Sequence, residues 1–334
     1  MKDITAVSID TAKNTFYVVG FSTTGHVVGR RKLGRSALKR WLVKQQPLTV
    51  YMEACGGSHE WGRSLKEQGH TVKLIAPQFV KPFRQGEKND WNDALAIGIA
   101  GSQPTMRFVA VKNAEQQAIQ ALHRVRTRVQ HDRVACANQL RGLLYEYGVV
   151  LPKSIQVLRK RVPEVLESGN LPGVMAELVL DLLEELRTLD ERLEQYTKRV
   201  EQQAKADPTA RHLMELRGIG PLTASALSAD VADARVFRNG RQLSAYLGLV
   251  PRQFSTGGKN RLGKITKRGD AYLRQLLIHG ARSVIRHLGD KQDRISCWLR
   301  ELIARRGKNK AIVALANKQA RWAWAMMVEV QAQQ

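Results

Sequence analysis

The sequence predicts an α/β domain at the N-terminus, followed by mainly helical regions. Short apolar segments with strand-like alternation fill the first 76 residues, and long helical periodicity begins near residue 113. A compact, glycine-rich region follows Asp207-Pro208. We therefore expect three consecutive domains at 1–111, 112–206 and 207–334.

The composition points to a polyanionic partner. The 334 residues include 54 Lys+Arg and 30 Asp+Glu, a formal net charge of +24, and the pI is near 10.4. Such an excess favours nucleic acid, because neutralised phosphates release counterions; a ribosomal-type or simply basic protein is the alternative. No apolar run reaches the ~20 residues of a membrane span. The first thirty residues also lack a signal-peptide pattern, so we expect a cytoplasmic, nucleoid-associated protein with no membrane partner.

The three cysteines predict no disulfide framework. Cys55, Cys136 and Cys297 are odd in number and far apart in the sequence. Cys55 and His59 have loose metal-ligand spacing, but no second pair accompanies them, which argues against a zinc site.

The first domain is predicted to open with three antiparallel strands at 6–9, 15–19 and 26–28. Ser36 is expected to cap a helix that runs through Val43. A strand at 48–52, a helix at 58–69 and a strand at 71–76 should follow. This order is that of an RNase H-like domain. The alternative, a doubly wound nucleotide-binding fold, would need a glycine-rich turn after the first strand, where this chain has Asp10-Thr-Ala-Lys13.

Four acids follow or begin these predicted elements. Asp10 closes the first strand, Glu53 closes the fourth, and Asp90 and Asp93 lie one turn apart on a predicted helix. Converging carboxylates repel one another unless divalent cations neutralise them. We therefore expect these four residues to bind Mg²⁺ or Mn²⁺ and to support phosphodiester cleavage. Two alternatives are that Glu60 replaces Glu53 and that Asp90 only caps its helix.

Two long amphipathic helices are predicted within 112–206. In the second, which starts near Pro172, leucines recur at steps of three and four through Leu182, Leu186, Leu189 and Leu193. We expect this stripe to be a self-association seam in a coiled-coil stalk. An ordinary helical hairpin within one chain is the alternative.

The third region begins with a glycine turn. The segment Leu216-Arg-Gly-Ile-Gly-Pro-Leu-Thr-Ala224 has the form of a helix-hairpin-helix, in which glycines let the backbone approach a phosphate. Arg217, Gly218 and Gly220 are therefore candidate nucleic-acid contacts. A plain connection between helices is the alternative.

A strongly basic loop region with an accessible hydroxyl follows. Between Pro251 and Arg286, nine Lys and Arg residues stand against one acid, Asp270. Ser255 is the leading candidate nucleophile, because nearby cations could stabilise charge on a phosphate under attack. Thr256 and Ser244 are competitors. The cations expected to contact nucleic acid are Arg252, Lys259, Arg261, Lys264, Lys267 and Arg268.

Taken together, the motifs resemble those of the DEDD-type insertion-sequence transposases. The shared features are Asp10, Glu53, Asn89-Asp-x-x-Asp93, a helical stalk, Arg-Gly-Ile-Gly-Pro-Leu-Thr-Ala at 217–224, and Gly-Leu-x-Pro-Arg-x-x-Ser255 with the Gly-Gly-Lys and Ile-Thr-Lys-Arg-Gly segments after it. The resemblance covers nearly the whole chain. It implies a RuvC-like domain joined to a transposase domain, with metal ligands at Asp10, Glu53, Asp90 and Asp93 and the nucleophile at Ser255.

The resemblance also implies specific partners and a covalent step. A noncoding bridge RNA would pair with donor and target double-stranded DNA, and the serine would become joined to a DNA phosphate. Acids of one subunit and the serine of another would form composite sites, so a homo-oligomer is expected, either a dimer or a tetramer. Two other interpretations stay open: a Holliday-junction resolvase-like endonuclease that needs no serine, and a basic RNA-chaperone-like binding protein.

Overall fold

The structure, a computed structural model, describes residues 4–87 and 89–333. The strands found there are β1 (Ala6–Asp10), β2 (Thr15–Phe21), β3 (Val27–Gly34), β4 (Thr49–Glu53), β5 (Thr71–Ile75), β6 (Phe108–Val109), β7 (Pro251–Gln253) and β8 (Leu262–Ile265). The α-helices found there are α1 (Arg35–Val43), α2 (Ser58–Glu67), α3 (Pro77–Val80), α4 (Asp90–Ser102), α5 (Ala114–Tyr145), α6 (Ile155–Glu167), α7 (Gly173–Ala206), α8 (Pro208–Leu213), α9 (Pro221–Asp230), α10 (Gly240–Tyr246), α11 (Ala271–Arg286), α12 (Arg294–Arg306) and α13 (Lys308–Ala332). The predicted α/β start and helical remainder are confirmed.

The N-terminal segment forms one six-stranded sheet with the strand order β3-β2-β1-β4-β5-β6. β1 pairs antiparallel with β2 and parallel with β4, and β4 pairs parallel with β5. The five strands predicted from alternation are all present, and the third extends further, to Gly34. The edge strand β6 was not predicted, because two residues are too few to show a period.

Both faces of this sheet are covered by helices. On one face, Leu38 and Leu42 of α1 and Trp61 of α2 pack with side chains of the first five strands. On the other face, α4 lies so close that a Cβ added at Gly98 would come within 2.1 Å of the Phe21 ring. A Cβ at Gly101 would come within 2.2 Å of the Tyr51 ring. These two glycines therefore let α4 lie directly on the strands.

Two helix starts differ from the prediction. Ser36 lies inside α1, whose N-cap is Gly34 without a side-chain cap, so the predicted cap is wrong. α4 is capped by Asn89, whose side chain accepts a hydrogen bond from the Asn92 N–H at 2.9 Å. Asp90 is consequently not needed as a cap, and its carboxylate remains exposed on the first turn.

The chain divides into two compact units. One contains the described residues of 1–117, 228–274 and 313–334, and the other contains 118–227 and 275–312. This division differs from the three consecutive domains expected from the sequence, because the predicted third domain contributes to both units. The three-domain organisation itself stays a prediction.

A buried ion pair links distant segments within the first unit. Lys112 is 5% exposed, and its Nζ lies 3.3 Å from Asp230 Oδ1. The main chain of Lys112 is also fixed: its N–H donates to His59 Nδ1, and its carbonyl accepts from Arg63. The end of the first segment is therefore tied both to α2 and to the end of α9.

The second unit has a helical core that accounts for the leucine stripe. Side chains of α5 and α6 pack against α7, and Leu186 and Leu189 are 0% and 6% exposed. Leu182 and Leu193 also pack on this cluster. The stripe therefore belongs to the core of one chain, and the prediction that these four leucines form a self-association seam is corrected. Periodicity shows that a face is apolar but not which element covers it. Self-association itself stays a prediction.

Replacing Leu186 by glutamate is expected to unfold the second unit rather than dissociate an oligomer. An unpaired carboxylate in this core would cost several kcal/mol. Urea denaturation followed by circular dichroism measures the effect. The matched control is Leu180→Glu on the same helix, because Leu180 is 55% exposed. A folded Leu186→Glu variant with a lower mass by light scattering would instead support the self-association seam.

Candidate active site

The first two acids lie at one edge of the sheet. Asp10 is the last residue of β1 and Glu53 is the last residue of β4. These strands are parallel neighbours, with Ile9 opposite Met52. The carboxyl ends of parallel strands meet at the same edge, so the strand pairing brings Asp10 and Glu53 together as the sequence predicted.

The other two acids reach this edge on the first turn of α4. Asp90 and Asp93 both lie in that turn. The buried Ser8 hydroxyl, two residues before Asp10, donates a hydrogen bond to the Ala94 carbonyl at 2.5 Å. This contact fixes the start of α4 against β1, which places Asp93 beside the end of that strand.

The electrostatics indicate that the other three carboxylates lie near Asp10. The pKa of Asp10 is raised from 3.8 to about 6, first by burial and then by the charges of Asp93, Asp90 and Glu53. The pKa of Glu53 is also raised, by burial and by the Asp93 charge, while Lys81 opposes the shift. Carboxylates whose charges raise the pKa of Asp10 are held close to it against their repulsion.

Two cations face the acids, and the sequence interpretation missed both. Arg84 Nη1 lies 3.4 Å from Asp93 Oδ1, and Lys81 is close enough to lower the pKa of Glu53. Both residues lie in the short segment between β5 and α4. A basic residue a few positions before an acidic helix start is the only signal the sequence offers for them.

The donor set fits a divalent cation. Carboxylate oxygens are the ligands that Mg²⁺ and Mn²⁺ prefer, and four of them converge here. Within the described residues, however, no three Asp, Glu, His or Cys side chains already surround a common point in metal-binding geometry. Asp93 instead contacts Arg84.

The rival ligands named from the sequence lie in other interactions. Glu60 of α2 pairs with Lys39 of α1 at 3.6 Å, and it is absent from the charges that shift the pKa of Asp10. His59 accepts a hydrogen bond from the Lys112 N–H. Cys55 Sγ lies 2.9 Å from Thr11 Oγ1, which joins the loops after β1 and β4. Glu53 is thus the better fourth acid, and the contacts of Cys55 and His59 lie with different residues.

Ser255 lies near the tip of a β-hairpin that the sequence did not predict. β7 and β8 pair antiparallel, and Gly257 and Gly258 at the tip have φ of +53° and +75°. Two consecutive residues with positive φ are typical of a type I′ hairpin turn, which explains the glycine pair. Residues 251–260 are all exposed, so the loop presents its hydroxyls to solvent.

The Ser255 hydroxyl is held by polar neighbours in its own hairpin. It accepts a hydrogen bond from Gln253 Nε2 at 2.9 Å and donates to Asn260 Oδ1 at 3.2 Å. Neither partner can take its proton as a base, so the contacts orient the oxygen without activating it. The competitor Ser244 is 0% exposed in α10, and its Oγ accepts from Asn317 Nδ2 at 2.6 Å. Burial therefore removes Ser244 as a nucleophile.

The cations around this hairpin are available to an external anion. All six basic residues expected to bind nucleic acid here are exposed. Within the described part of the chain, none of them forms an ion pair with an acid. They are Arg252, Lys259, Arg261, Lys264, Lys267 and Arg268. Lys267 adopts a positive φ of +54°. Its segment packs closely on Gly248, since a Cβ added at Gly248 would lie 2.2 Å from the Arg268 carbonyl oxygen.

The glycine turn at 217–220 joins α8 to α9, as predicted, and packs tightly. A Cβ at Gly280 of α11 would lie 1.9 Å from the Gly218 carbonyl. Arg217 Nη1 donates to Ser296 Oγ at 2.9 Å and lies 3.4 Å from Asp293. Gly220 is exposed, with no atom within 4 Å of an added Cβ. The described contacts of Arg217 and Gly218 are thus internal, and the role of this turn against DNA stays a prediction.

Comparison with known proteins identifies the family. The model described as "Transposase IS116/IS110/IS902 family" matches residues 210–296, and the DEDD transposase model of the IS110 type matches 7–149. A "Probable family 20 transposase" of Pseudomonas aeruginosa is 47% identical over 97% of both chains. The chain belongs to the IS116/IS110/IS902 family of transposases. The transposase of insertion sequence element IS1111A from Coxiella burnetii is 42% identical over 98% of this chain and 90% of its own. That of IS1328 from Yersinia enterocolitica is 38% identical over 98% of both.

Family membership confirms the coarse interpretation of the sequence. This transposase is an enzyme that acts on DNA, and its DEDD domain, which contains all four acids, is RNase H-like. Domains of this type depend on divalent cations in general. No helix among the described residues is long and apolar enough to cross a membrane.

Proposed function

We propose that this transposase is a bridge-RNA-guided recombinase that cuts and rejoins DNA with four acids and one serine. The observation on which the proposal chiefly rests is the convergence of Asp10, Glu53, Asp90 and Asp93, where burial and the three neighbouring carboxylates raise the pKa of Asp10 to about 6. The exposed Ser255 supports the covalent step. The net charge of +24 and the unpaired cations of the hairpin support large nucleic-acid partners.

The acids prepare the scissile phosphate. Asp10, Glu53, Asp90 and Asp93 would hold Mg²⁺, which when bound supplies Lewis-acid stabilisation of charge on the phosphoryl oxygens. Asp10 and Glu53 keep their positions because each closes a strand of the sheet. Asp90 and Asp93 keep theirs because α4 is fixed to β1 by the Ser8 hydrogen bond.

The serine step is a transesterification that conserves the number of phosphodiester bonds. The Ser255 oxygen forms a bond to phosphorus while one phosphorus–sugar oxygen bond breaks. The serine proton ends on the released sugar hydroxyl, which leaves one strand joined to the protein. Attack by a new strand hydroxyl reverses these changes and frees the serine. No external energy source is needed. Gln253 and Asn260 would orient the attacking oxygen, and the acids of a second subunit would complete the site.

The second candidate function is a resolvase-like endonuclease that uses the same acids. It is favoured by one observation: the Ser255 partners Gln253 and Asn260 provide no base. Metal-dependent cutting without protein–DNA adducts would select this function. Binding without any cutting would select the third interpretation, a basic nucleic-acid-binding protein.

Guidance by a noncoding RNA is tested by purifying the protein from cells that also transcribe the noncoding sequence flanking its gene. A single co-purifying RNA from that sequence is expected, and RNase treatment should abolish strand exchange between donor and target DNA. Added RNA of the same sequence should restore it. Strand exchange by RNase-treated protein at the untreated rate would contradict guidance by RNA.

The hairpin cations are expected to set much of the salt dependence of DNA binding. Changing Lys264, Lys267 and Arg268 to glutamine removes three phosphate contacts, so the slope of log affinity against log salt should fall by about 2 to 3. Fluorescence anisotropy between roughly 50 and 200 mM salt measures it. The charge-matched control is glutamine at Lys44, Lys153 and Lys160, three exposed lysines elsewhere. Equal salt slopes in the two variants would show that DNA does not bind preferentially at the hairpin.

A further inference from the structure

A basic and aromatic strip crosses the sheet and ends at the acids. In the strand pairing, Lys32 of β3 lies opposite Tyr17 of β2, and Tyr17 lies opposite Asp10 of β1. Residues directly opposite one another share a face of the sheet. Neighbouring strands are ~4.8 Å apart, so the backbone of Lys32 lies about 10 Å from that of Asp10. The side chains of Lys32, Tyr17 and Asp10 therefore form a row from the edge strand β3 to the proposed cleavage site.

Two aromatic rings form the floor of this strip. The Tyr17 and Trp91 rings meet edge to face, with centroids 4.9 Å apart and planes at 88°. Both side chains are only partly buried. Trp91 directly follows Asp90 in α4, and Tyr17 faces Asp10, so each ring is adjacent to one of the acids.

Two cations lie above these rings. The Arg30 guanidinium is 6.0 Å from the Trp91 centroid, and Lys32 Nζ is 5.5 Å from the Tyr17 centroid. Both residues are exposed on the edge strand β3. In the described residues, neither makes an ion pair with an acid. The four carboxylates alone would repel the phosphates of a DNA strand. The positive charges of Arg30 and Lys32 can bind those phosphates beside the acids.

We propose that Tyr17, Trp91, Arg30 and Lys32 form a positioning surface for the DNA strand that is cut. Arg30 and Lys32 bind phosphates beside the scissile one, and a base or sugar packs on the Tyr17–Trp91 pair. Cationic grooves with exposed aromatic rings are the general means of holding single-stranded nucleic acid. The proposal rests on the function proposed for the acids, but its binding test does not require cleavage.

Neighbouring residues on β3 and α1 supply a matched control. Arg31 points to the opposite face, where its guanidinium is 5.8 Å from the Trp41 centroid, and Lys39 Nζ is 5.5 Å from Trp61. The test variant is Arg30→Gln, Lys32→Gln, and the control variant is Arg31→Gln, Lys39→Gln. Each variant removes one Arg and one Lys that make cation–π contacts. The two variants change opposite faces of the sheet, and the control additionally loses the ion pair between Lys39 and Glu60.

The first measurement is binding of fluorescein-labelled oligo(dT) to the full-length protein in EDTA. Arg30→Gln, Lys32→Gln should reduce the salt slope by about 1.4, the value for two single-strand phosphates, and the control should not. Trp91→Ala should weaken binding roughly tenfold, while Trp91→Phe, which keeps a ring, should retain most of it. Equal losses in the strip variant and its control would overturn the proposal.

The second measurement is photo-crosslinking with 5-iodouracil in either the DNA strand or an RNA strand. We expect DNA crosslinks at Tyr17 or Trp91, identified by mass spectrometry, in the parent and in Asp10→Asn. Since Asp10→Asn should not cut, crosslinks there separate strand positioning from catalysis. DNA crosslinks only at other residues, or crosslinks at this pair from RNA alone, would overturn the assignment to the cut DNA strand. Parental crosslinks in a protein that cuts no DNA would leave the surface standing and reject the proposed function.

Discussion

Replacing Asp10 by asparagine is expected to abolish DNA cleavage while stabilising the metal-free protein at neutral pH. The change removes a ligand and a charge at the reacting phosphate, so the cleavage rate should fall on the order of 10³-fold. It also removes the group whose pKa is raised to about 6 by burial and by three neighbouring carboxylates. Cleavage assays in Mg²⁺ and urea denaturation in EDTA measure the two effects.

The pH dependence of stability carries the same signature. Because the folded-state pKa of Asp10 lies above 3.8, the folded protein binds the proton more tightly than the unfolded chain does. The free energy of unfolding therefore falls as pH rises from about 4 to 6. Asp10→Asn should remove this decline, a gain of about 1–2 kcal/mol at pH 7 after allowance for the partial exposure of the group.

Glu60→Gln is the control for the acid site, because Glu60 pairs with Lys39 outside it. That variant should cut at the parental rate, whereas Glu53→Ala, Asp90→Ala and Asp93→Ala should be as inactive as Asp10→Asn. Parental cleavage by Asp10→Asn, or a lower stability of that variant in EDTA at pH 7, would refute the four-acid site.

Replacing Ser255 by alanine is expected to eliminate a covalent protein–DNA adduct and to leave DNA binding near normal. The side chain is exposed, so its removal disturbs no core, and its hairpin is held by backbone pairing and the glycine turn. Loss of the attacking atom should reduce strand exchange by at least about 10³-fold. Denaturing electrophoresis of the protein with labelled DNA detects the adduct.

Two other hydroxyls separate the possible outcomes. Thr256→Ala, next to Ser255 and also exposed, should keep the adduct. Ser244→Ala should keep it too, but should lower stability by about 1–3 kcal/mol because Asn317 loses a buried acceptor. An adduct present in Ser255→Ala and absent in Thr256→Ala would identify the threonine as the nucleophile. Cutting without an adduct in the parent would favour the endonuclease.

The positions of the four acids could be predicted from the sequence because their determinants are local. The apolar run before Asp10 and the one before Glu53 each define a strand and its end, and helical spacing puts Asp90 and Asp93 on one turn. Parallel pairing of two such strands then brings their ends together without further information. What the sequence did not reveal was Arg84 and Lys81, since their position depends on how the segment before α4 returns to the sheet.

The remaining errors arise where the local sequence does not determine the structure. β7 and β8 have only three and four residues, mostly exposed, so no alternation marks them. The stripe of Leu186 and Leu189 is periodic, but its partners come from α5 and α6, which pack on it only in three dimensions. Tertiary contacts, and not propensity, decide what covers an apolar face.

The buried pairing of Lys112 with Asp230 limits how this protein can exchange parts with its relatives. Either charge without the other would be left in a site nearly closed to water, at a cost of about 3–5 kcal/mol. The two halves of the pair are separated in the gene by most of the second unit. A hybrid transposase joined anywhere between them must therefore inherit a compatible partner from both parents. We expect folded, active hybrids to take residues 1–117 and 228–274 from the same parent. A hybrid that takes only its N-terminal half from one parent should be destabilised.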